Sequence, residues 1–206
     1  MPHTGAGLRD ELHLRHAQGS AWKPGRNVEV IVQSGAGGSS DRSARVTQKI
    51  LAGIPAFSSV NVSVNNKPGG GGNVAWIYLN QHQGDAHYIA TLSTTVLTNN
   101  LLGLTPLSYR LFTPLSILLR EQGINAVYFS WRGFMGPKGL SPAQLAFWDQ
   151  AFAHMVKAPE WKQDVARNAW AEDFMNSAQT LKHLESETES LQKLLTELGE
   201  ITRQPL

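Results

Sequence analysis

Two glycine-rich turns, each directly after a strand-like run, constrain this chain most strongly. Residues 35–41 (GAGGSSD) follow VEVIV at 28–32, and residues 67–73 (KPGGGGN) follow VNVSV at 60–64. Glycine lets the backbone adopt positive φ and approach a ligand closely. A helix that begins after such a turn presents unpaired N–H groups and the positive end of its dipole. Two such turns at one sheet edge predict a carboxylate or phosphate site built from backbone.

The composition fits a folded, non-basic protein. The 206 residues suit one large domain or two small ones, and a 41% hydrophobic content with 17% charged residues argues against global disorder. The formal net charge of +2, without a dense basic run, gives no reason to expect nucleic acid as a partner. Without cysteine there are no disulfides, thiolate metal sites or cysteine nucleophiles.

The first 21 residues differ from the rest of the chain. Residues 1–21 carry both charge signs and no apolar h-region, so as they stand they are not a signal peptide. We expect a leader outside the fold, either disordered or foreign to the natural protein. No stretch of the sequence reaches the apolar length of a membrane span.

Strands and helices alternate through the first half of the chain. Predicted helices cover 40–51 and 74–79, and predicted strands cover 28–32, 60–64, 88–92, 115–119 and 127–131, the last ended by Gly133 and Gly136. This order is typical of α/β proteins whose parallel strands are joined by right-handed crossovers. We therefore predict a three-layer α/β lobe with a mainly parallel sheet.

The last third of the chain is predicted to be helical. Ser141 and Gln144 form a capping box with Pro142 at the first helical position, and Pro159 opens a second helix. A third helix starts near Asn176 or Ser177 and carries a stripe of leucines assigned to the core, at 181, 184, 191, 195 and 198. We expect residues 22–206 to form a single lobe, with an N-terminal part at 22–121 and a return strand with C-terminal helices at 122–206.

Other chemistries fit the motifs less well. Ser40 stands where a dinucleotide fingerprint needs its third glycine, and Asn65 and Asn66 occupy the place of a ribose-binding acid. The histidines do not form a ligand set, and there is no nucleophile elbow. We predict no metal, no cofactor and no enzymatic activity, and rank a dinucleotide-dependent enzyme third among the hypotheses.

The predicted ligand contacts come from the backbone of both turns. They are Gly35, Ala36, Gly37, Gly38, Ser39 and Ser40 in the first, and Pro68, Gly69, Gly70, Gly71, Gly72 and Asn73 in the second. Asp41 is assigned instead to capping its helix, with Arg45 spaced for an ion pair on the exposed side. The competing interpretation is that the glycines only make tight strand-to-helix turns.

In order along the chain, these motifs resemble the solute-binding proteins of tripartite tricarboxylate transporters, the Bug or TctC type. The matching segments are GGSSD with Ala44-Arg45, NKPGGGGN at 66–73, Gly84-Asp85, LSY at 107–109 before FTP at 112–114, WRG at 131–133 and GPKGLSP at 136–142. The resemblance covers about residues 22–200. It implies a periplasmic protein that holds a small carboxylate, through the two turns, and delivers it to a membrane permease.

One part of the family's architecture is missing from this sequence. The family has two lobes, but here the end of the first lobe, near Arg120, meets the return segment at about Gln122. The second lobe is therefore predicted to be absent, which leaves a non-binding structural or interaction module as the second hypothesis. We also expect the apolar segments near this join, at 115–119 and 124–131, to lie at a sheet edge and to favour a homodimer.

Overall fold

The computed structural model describes residues 22–121 and 130–201. The strands are β1 (Val28–Val32), β2 (Val62–Asn66), β3 (Tyr88–Ser93), β4 (Phe112–Glu121), β5 (Ser130–Pro137) and β6 (Trp170–Met175). The α-helices are α1 (Ser39–Gly53), α2 (Asn73–Asn80), α3 (Thr95–Leu101), α4 (Pro142–Met155), α5 (Pro159–Arg167) and α6 (Ser177–Glu197). Single 3₁₀ turns lie at Pro55–Phe57, Gly70–Gly72 and Tyr109–Leu111.

The strands form one sheet in the order β2-β1-β3-β5-β4-β6. β1 pairs in parallel with β2 and β3, whereas the ladders of β5 with β3, β5 with β4, and β4 with β6 are antiparallel. β1, β2, β3 and β4 therefore run in one direction, and β5 and β6 run in the other. The predicted α/β lobe is confirmed, and its sheet is mainly parallel in that four of the six strands run in one direction, although only the two ladders of β1 are parallel.

Helices cover both faces of the sheet, because β1 and its neighbours bury side chains on alternate faces. Val28, Val30 and Val32 point into a core shared with α1, α4 and α5. Ile31 points into the opposite core, which α2, α3 and α6 complete. The three-layer arrangement follows from this double burial. Within the described part of the chain, none of the helices combines the length and apolar character that a membrane span requires.

The helix starts in the last third agree with the sequence. Both α4 and α6 begin with a capping box, Ser141 with Gln144 and Asn176 with Gln179. The leucine stripe of α6 is narrower than predicted, since Leu184 and Leu191 are buried but Leu181 is 40% and Leu198 is 65% exposed. Only the side of α6 that faces the sheet is covered.

Two strand predictions need correction. β5 does not end at Gly133 but continues to Pro137. Gly133 lies inside the strand, where a Cβ would collide with the Ser116 carbonyl oxygen, so this glycine allows close approach of β4 and does not end the strand. The predicted strand at 127–131 lies partly outside the described residues. β6 was missed, because its acidic, half-exposed sequence WAEDFM follows a helix and lacks an apolar alternation.

The expected sheet edge near the join is also wrong. β4 and β5 are interior strands, and Leu115, Ile117 and Leu119 are completely buried. The real edges are β2 and β6. β5 pairs antiparallel with β3 on one side and with β4 on the other, and β4 also pairs with β6, so neither β4 nor β5 lies at a sheet edge.

Candidate functional site

In the structure, helix α1 already begins at Ser39, so the first glycine turn comprises residues 34–38. It joins the carboxyl end of β1 to α1. Gly37 adopts positive φ (+85°), and Gly38 is the N-cap of α1 without any side-chain capping bond. A Cβ on Gly35 or on Gly37 would meet nothing within 4 Å, so this turn is open to its surroundings. The 15-residue helix behind it presents its N-terminus at the carboxyl edge of the sheet.

Asp41 holds the first turn closed from the inside. Its buried carboxylate accepts hydrogen bonds from the Gly37 N–H (2.9 Å), Arg45 Nε (3.0 Å) and Asn66 Nδ2 (2.9 Å). Burial raises the pKa of Asp41, but the hydrogen bonds from Arg45, Gly37 and Asn66 outweigh it and leave the pKa below its ordinary value.

The role of Asp41 therefore differs in detail from the predicted cap. It satisfies the N–H of Gly37, which precedes the N-cap, rather than an N–H within the first helical turn. The predicted ion pair with Arg45 is present, but its acid is buried and only Arg45 is exposed. Since Asp41 occupies the Gly37 N–H, that donor is not open to a ligand in this conformation.

The second glycine turn, Gly69–Gly72, is built from backbone with positive φ throughout. The four glycines adopt φ of +132°, +56°, +65° and +108°, a region that favours glycine. Gly72 is the N-cap of α2, again without a side-chain capping bond. A Cβ on Gly72 would lie 2.8 Å from the Trp76 ring, and one on Gly71 2.6 Å from Asn99 Nδ2. This turn needs glycine for space as well as for conformation.

The parallel pairing of β1 with β2 brings the two turns together. Val32 and Asn66 are register partners, and the Lys67 N–H donates to Val32 O (2.8 Å). Asn66 donates to both Ser34 O (3.0 Å) and the Asp41 carboxylate. Asn66 therefore connects both turns. Sequence reasoning missed this role, because it noted only that Asn66 stands where a ribose-binding acid would be and that it begins the motif at 66–73.

A third segment, at the end of β3, adjoins the first turn. The buried Gln33 donates through Nε2 to Ser40 Oγ (3.3 Å) and to Ser93 Oγ (3.1 Å), and Ser93 contacts Thr95 Oγ1 (2.9 Å). β1 leads to α1 on one face, whereas β3 leads to α3 on the other. The crevice between them is a topological switch point, where open α/β sheets commonly bind ligands.

Arg132 reaches the same edge from β5. Its guanidinium donates through Nη2 to Ser39 Oγ (3.3 Å) and through Nη1 to Trp131 O (2.9 Å). Trp131, the first residue of the WRG segment, is only 1% exposed and donates from its indole to Glu187 (2.8 Å). The strand thus turns Trp131 into the core and Arg132 toward α1.

Lys67, the cation next to the second turn, is oriented by an aromatic ring. Its Nζ lies 3.9 Å from the centroid of Tyr78, a cation–π distance. No group of three or more possible metal-ligating side chains lies together in residues 22–121 and 130–201. The polar groups at this edge are mostly hydroxyls, amides and backbone N–H groups. Such groups can bind a small anion by hydrogen bonds.

Comparison of the fold with solved structures gives consistent matches. A TctC solute-binding protein from Polaromonas aligns at 15% identity over 84% of this chain and 99% of its own, with a TM-score of 0.76. The fold is that of the TctC-type solute-binding proteins. The TctC-type matches include the periplasmic binding protein BugD (12% identity, 85% of this chain and 98% of that one, TM-score 0.74).

A further TctC-type match was solved with its ligand. MatC from Rhodopseudomonas palustris, with bound malate, aligns at 12% identity over 84% of this chain and 99% of its own, with a TM-score of 0.66. No protein-family model and no curated protein matches the sequence. The likeness to the TctC fold is thus carried by the tertiary structure.

Proposed function

We propose that this chain is a solute-binding lobe that holds a small carboxylate at the carboxyl edge of β1, β2 and β3. The ligand contacts are backbone N–H groups of residues 35–40 and 69–71, apart from the Gly37 N–H that Asp41 occupies. Pro68 has no N–H, and the N–H groups of Gly72 and Asn73 donate to Gly69 O and Gly70 O. The protein binds and does not catalyse. The solute-binding matches, one of them with malate, support this assignment by analogy.

The observation that carries the proposal is the pair of adjacent helix N-termini. α1 and α2 begin at glycine N-caps that no side chain caps, and the strands before them are direct neighbours. Both helix dipoles therefore favour negative charge at the same edge. A plain pair of connecting turns would not require four successive glycines with positive φ, which cost backbone entropy on folding.

Affinity is expected to be low. A single lobe cannot surround its ligand, so most of the ligand surface stays in water and the Kd is on the order of 1 mM or weaker. The test is a titration with malate and succinate followed by the NMR shifts of backbone amides. We expect saturable shifts of the backbone amides in residues 35–40 and 69–73.

Two substitutions locate the site. Gly37→Val and Gly70→Val place a branched side chain on backbone with positive φ in each turn, and both should abolish the shifts. Gly25→Val is the matched control, because Gly25 has ordinary φ and nothing lies within 4 Å of its Cβ position. If the folded variants bind malate as the wild type does, the site lies elsewhere.

The second candidate is an interaction module without ligand. It is favoured by the absence of any second covering lobe in the described residues. Thermal-shift titrations with several dicarboxylates separate the hypotheses, since only a binding lobe gains stability from its ligand.

The proposed location rests on analogy with the periplasmic matches, and the proposed partners rest on the resemblance of the sequence motifs to the transporter family. We propose a periplasmic location and delivery of the carboxylate to membrane permease subunits. A homodimer stays a prediction, but any strand pairing would now involve the edges β2 or β6. Light scattering over a concentration series tests it, and a monomer at every concentration would remove it.

A further inference from the structure

Arg132 is the cationic side chain that contacts the first residue of α1. Its Nη2 atom lies 3.3 Å from the hydroxyl oxygen of Ser39, one of the residues assigned to the carboxylate site. The same side chain donates hydrogen bonds from Nη1 to Ser130 Oγ (2.5 Å) and Trp131 O (2.9 Å). The guanidinium is thus held in place by its own strand and is partly exposed.

The sheet topology explains why Arg132 lies at this edge. β5 runs antiparallel to β3, and Arg132 is the register partner of Ser93, the last residue of β3. Successive side chains of a strand point to opposite faces, so Arg132 projects toward α1 while Trp131 is buried toward α6. Arg132 and Ser39 are 93 positions apart in the sequence.

We propose that Arg132 is a specificity-determining residue of the carboxylate site, selecting dianionic over monoanionic ligands. This inference rests on the proposed function. The two helix N-termini suffice to bind one carboxylate through backbone N–H groups. Arg132 places a guanidinium beside the Ser39 end of the site, where the second carboxylate of a small dicarboxylate comes within reach.

The competing explanation is that Arg132 only braces α1 against the sheet. A brace affects stability and, through the position of the turn, weakens all ligands alike. A charge at the site instead weakens dianions more than monoanions, and its contribution falls as added salt screens it. The ratio of the two affinities therefore distinguishes the roles.

The experiment compares succinate, a dianion at pH 7, with its monomethyl ester, a monoanion of nearly the same shape. Kd values for both ligands are measured by NMR titration of the wild type, Arg132→Gln and Arg132→Lys. Arg110→Gln is the matched control: Arg110 precedes β4, whose amino end lies at the opposite edge of the sheet, and the substitution removes the same charge. Circular dichroism verifies that each variant is folded.

We expect the wild type to prefer succinate about tenfold, and Arg132→Gln to lower this preference to about twofold with little change for the monoester. Arg132→Lys, which keeps the charge but loses the fork, should be intermediate, and Arg110→Gln should behave as the wild type. The succinate preference of the wild type should also shrink between 20 and 300 mM salt.

The possible failures differ from one another. Equal weakening of both ligands in Arg132→Gln, or no change at all, overturns the specificity role while the carboxylate site stands. If Arg132→Gln does not fold, the lysine variant and the salt series decide, and a salt-independent preference rejects the proposal. If the wild type binds neither ligand, the proposed function itself fails and this inference fails with it.

Discussion

The two glycine turns occupy equivalent places after neighbouring strands but are stabilised in different ways. In the turn after β1, only Gly37 has positive φ, and a buried acid, Asp41, fixes the backbone. In the turn after β2, four glycines with positive φ fit against Trp76 and Asn99. One turn depends on side-chain hydrogen bonds and the other on the absence of side chains, so two turns in equivalent positions are stabilised by different means.

The largest expected effect comes from Gly72→Ala. The new Cβ would sit 2.8 Å from the buried Trp76 ring, on backbone at φ +108°, so both overlap and strain oppose folding. We expect a loss of roughly 2–4 kcal/mol in the free energy of unfolding, measured with urea. Gly35→Ala in the first turn is the matched control, with a change of less than about 0.5 kcal/mol. Equal losses in the two variants would remove the contrast between the turns.

Asp41→Asn should have the next largest effect. The amide has nearly the same shape but loses the negative charge that pairs with Arg45. Its single oxygen replaces only one carboxylate oxygen, so either the bond from Asn66 or the bonds from Gly37 and Arg45 lose their acceptor. Hydrogen bonds to a charged group in a buried position predict a loss of roughly 2 kcal/mol in the free energy of unfolding. Urea unfolding at pH 7 measures it. An unchanged midpoint would show that the first turn holds its shape without the acid.

The contribution of Asp41 should depend on pH. Its pKa is lower in the folded state than the value of about 3.9 expected for an unfolded chain. Its stabilisation is therefore complete above pH ~4 and is lost as the pH falls through the folded-state pKa. The difference in unfolding free energy between wild type and Asp41→Asn should be largest at pH 7 and shrink toward pH 3. Asp85, whose pKa is also lowered, is present in both proteins and cancels. A difference that stays constant down to pH 3 would contradict this account.

Asn99→Ala should have the smallest effect of this series. Asn99 donates to Gly71 O (3.1 Å) at an exposed position, the one side-chain hydrogen bond to the second turn within the described residues. Its loss should cost about 0.5 kcal/mol. A loss as large as that of Asp41→Asn would mean that both turns depend on side-chain bonds. Amide hydrogen exchange at Gly71 and Gly72 would report local loosening that unfolding experiments miss.

Local patterns predicted much of the fold. The alternation of β1, α1, β2, α2 and β3 was predicted, because the apolar residues of each element follow the period of a strand or of a helix. The capping box at Ser141 was predicted because its partner Gln144 lies three residues further on, whereas for α6 only the start near Asn176 was predicted and not its capping box. β6 was not predictable, since an edge strand that is only half buried needs no apolar alternation.

The two turns of the candidate site were predicted, but its other walls were not. Asn66, Gln33 and Ser93 belong to it through contacts across strands, and their residue types alone did not distinguish them. The exposed edge expected near Leu115–Leu119 was wrong, because a strand's neighbours cannot be inferred from its own sequence.

The sequence by itself determined the two glycine turns, the helices that follow them and the ion pair of Asp41 with Arg45. These features depend on conformations and spacings within a few residues, which short motifs encode. Only the tertiary structure decided that β5 inserts between β3 and β4 and places Arg132 beside Ser39. Strand order is set by the burial of whole faces and by hydrogen bonding between distant segments, so no local pattern specifies it.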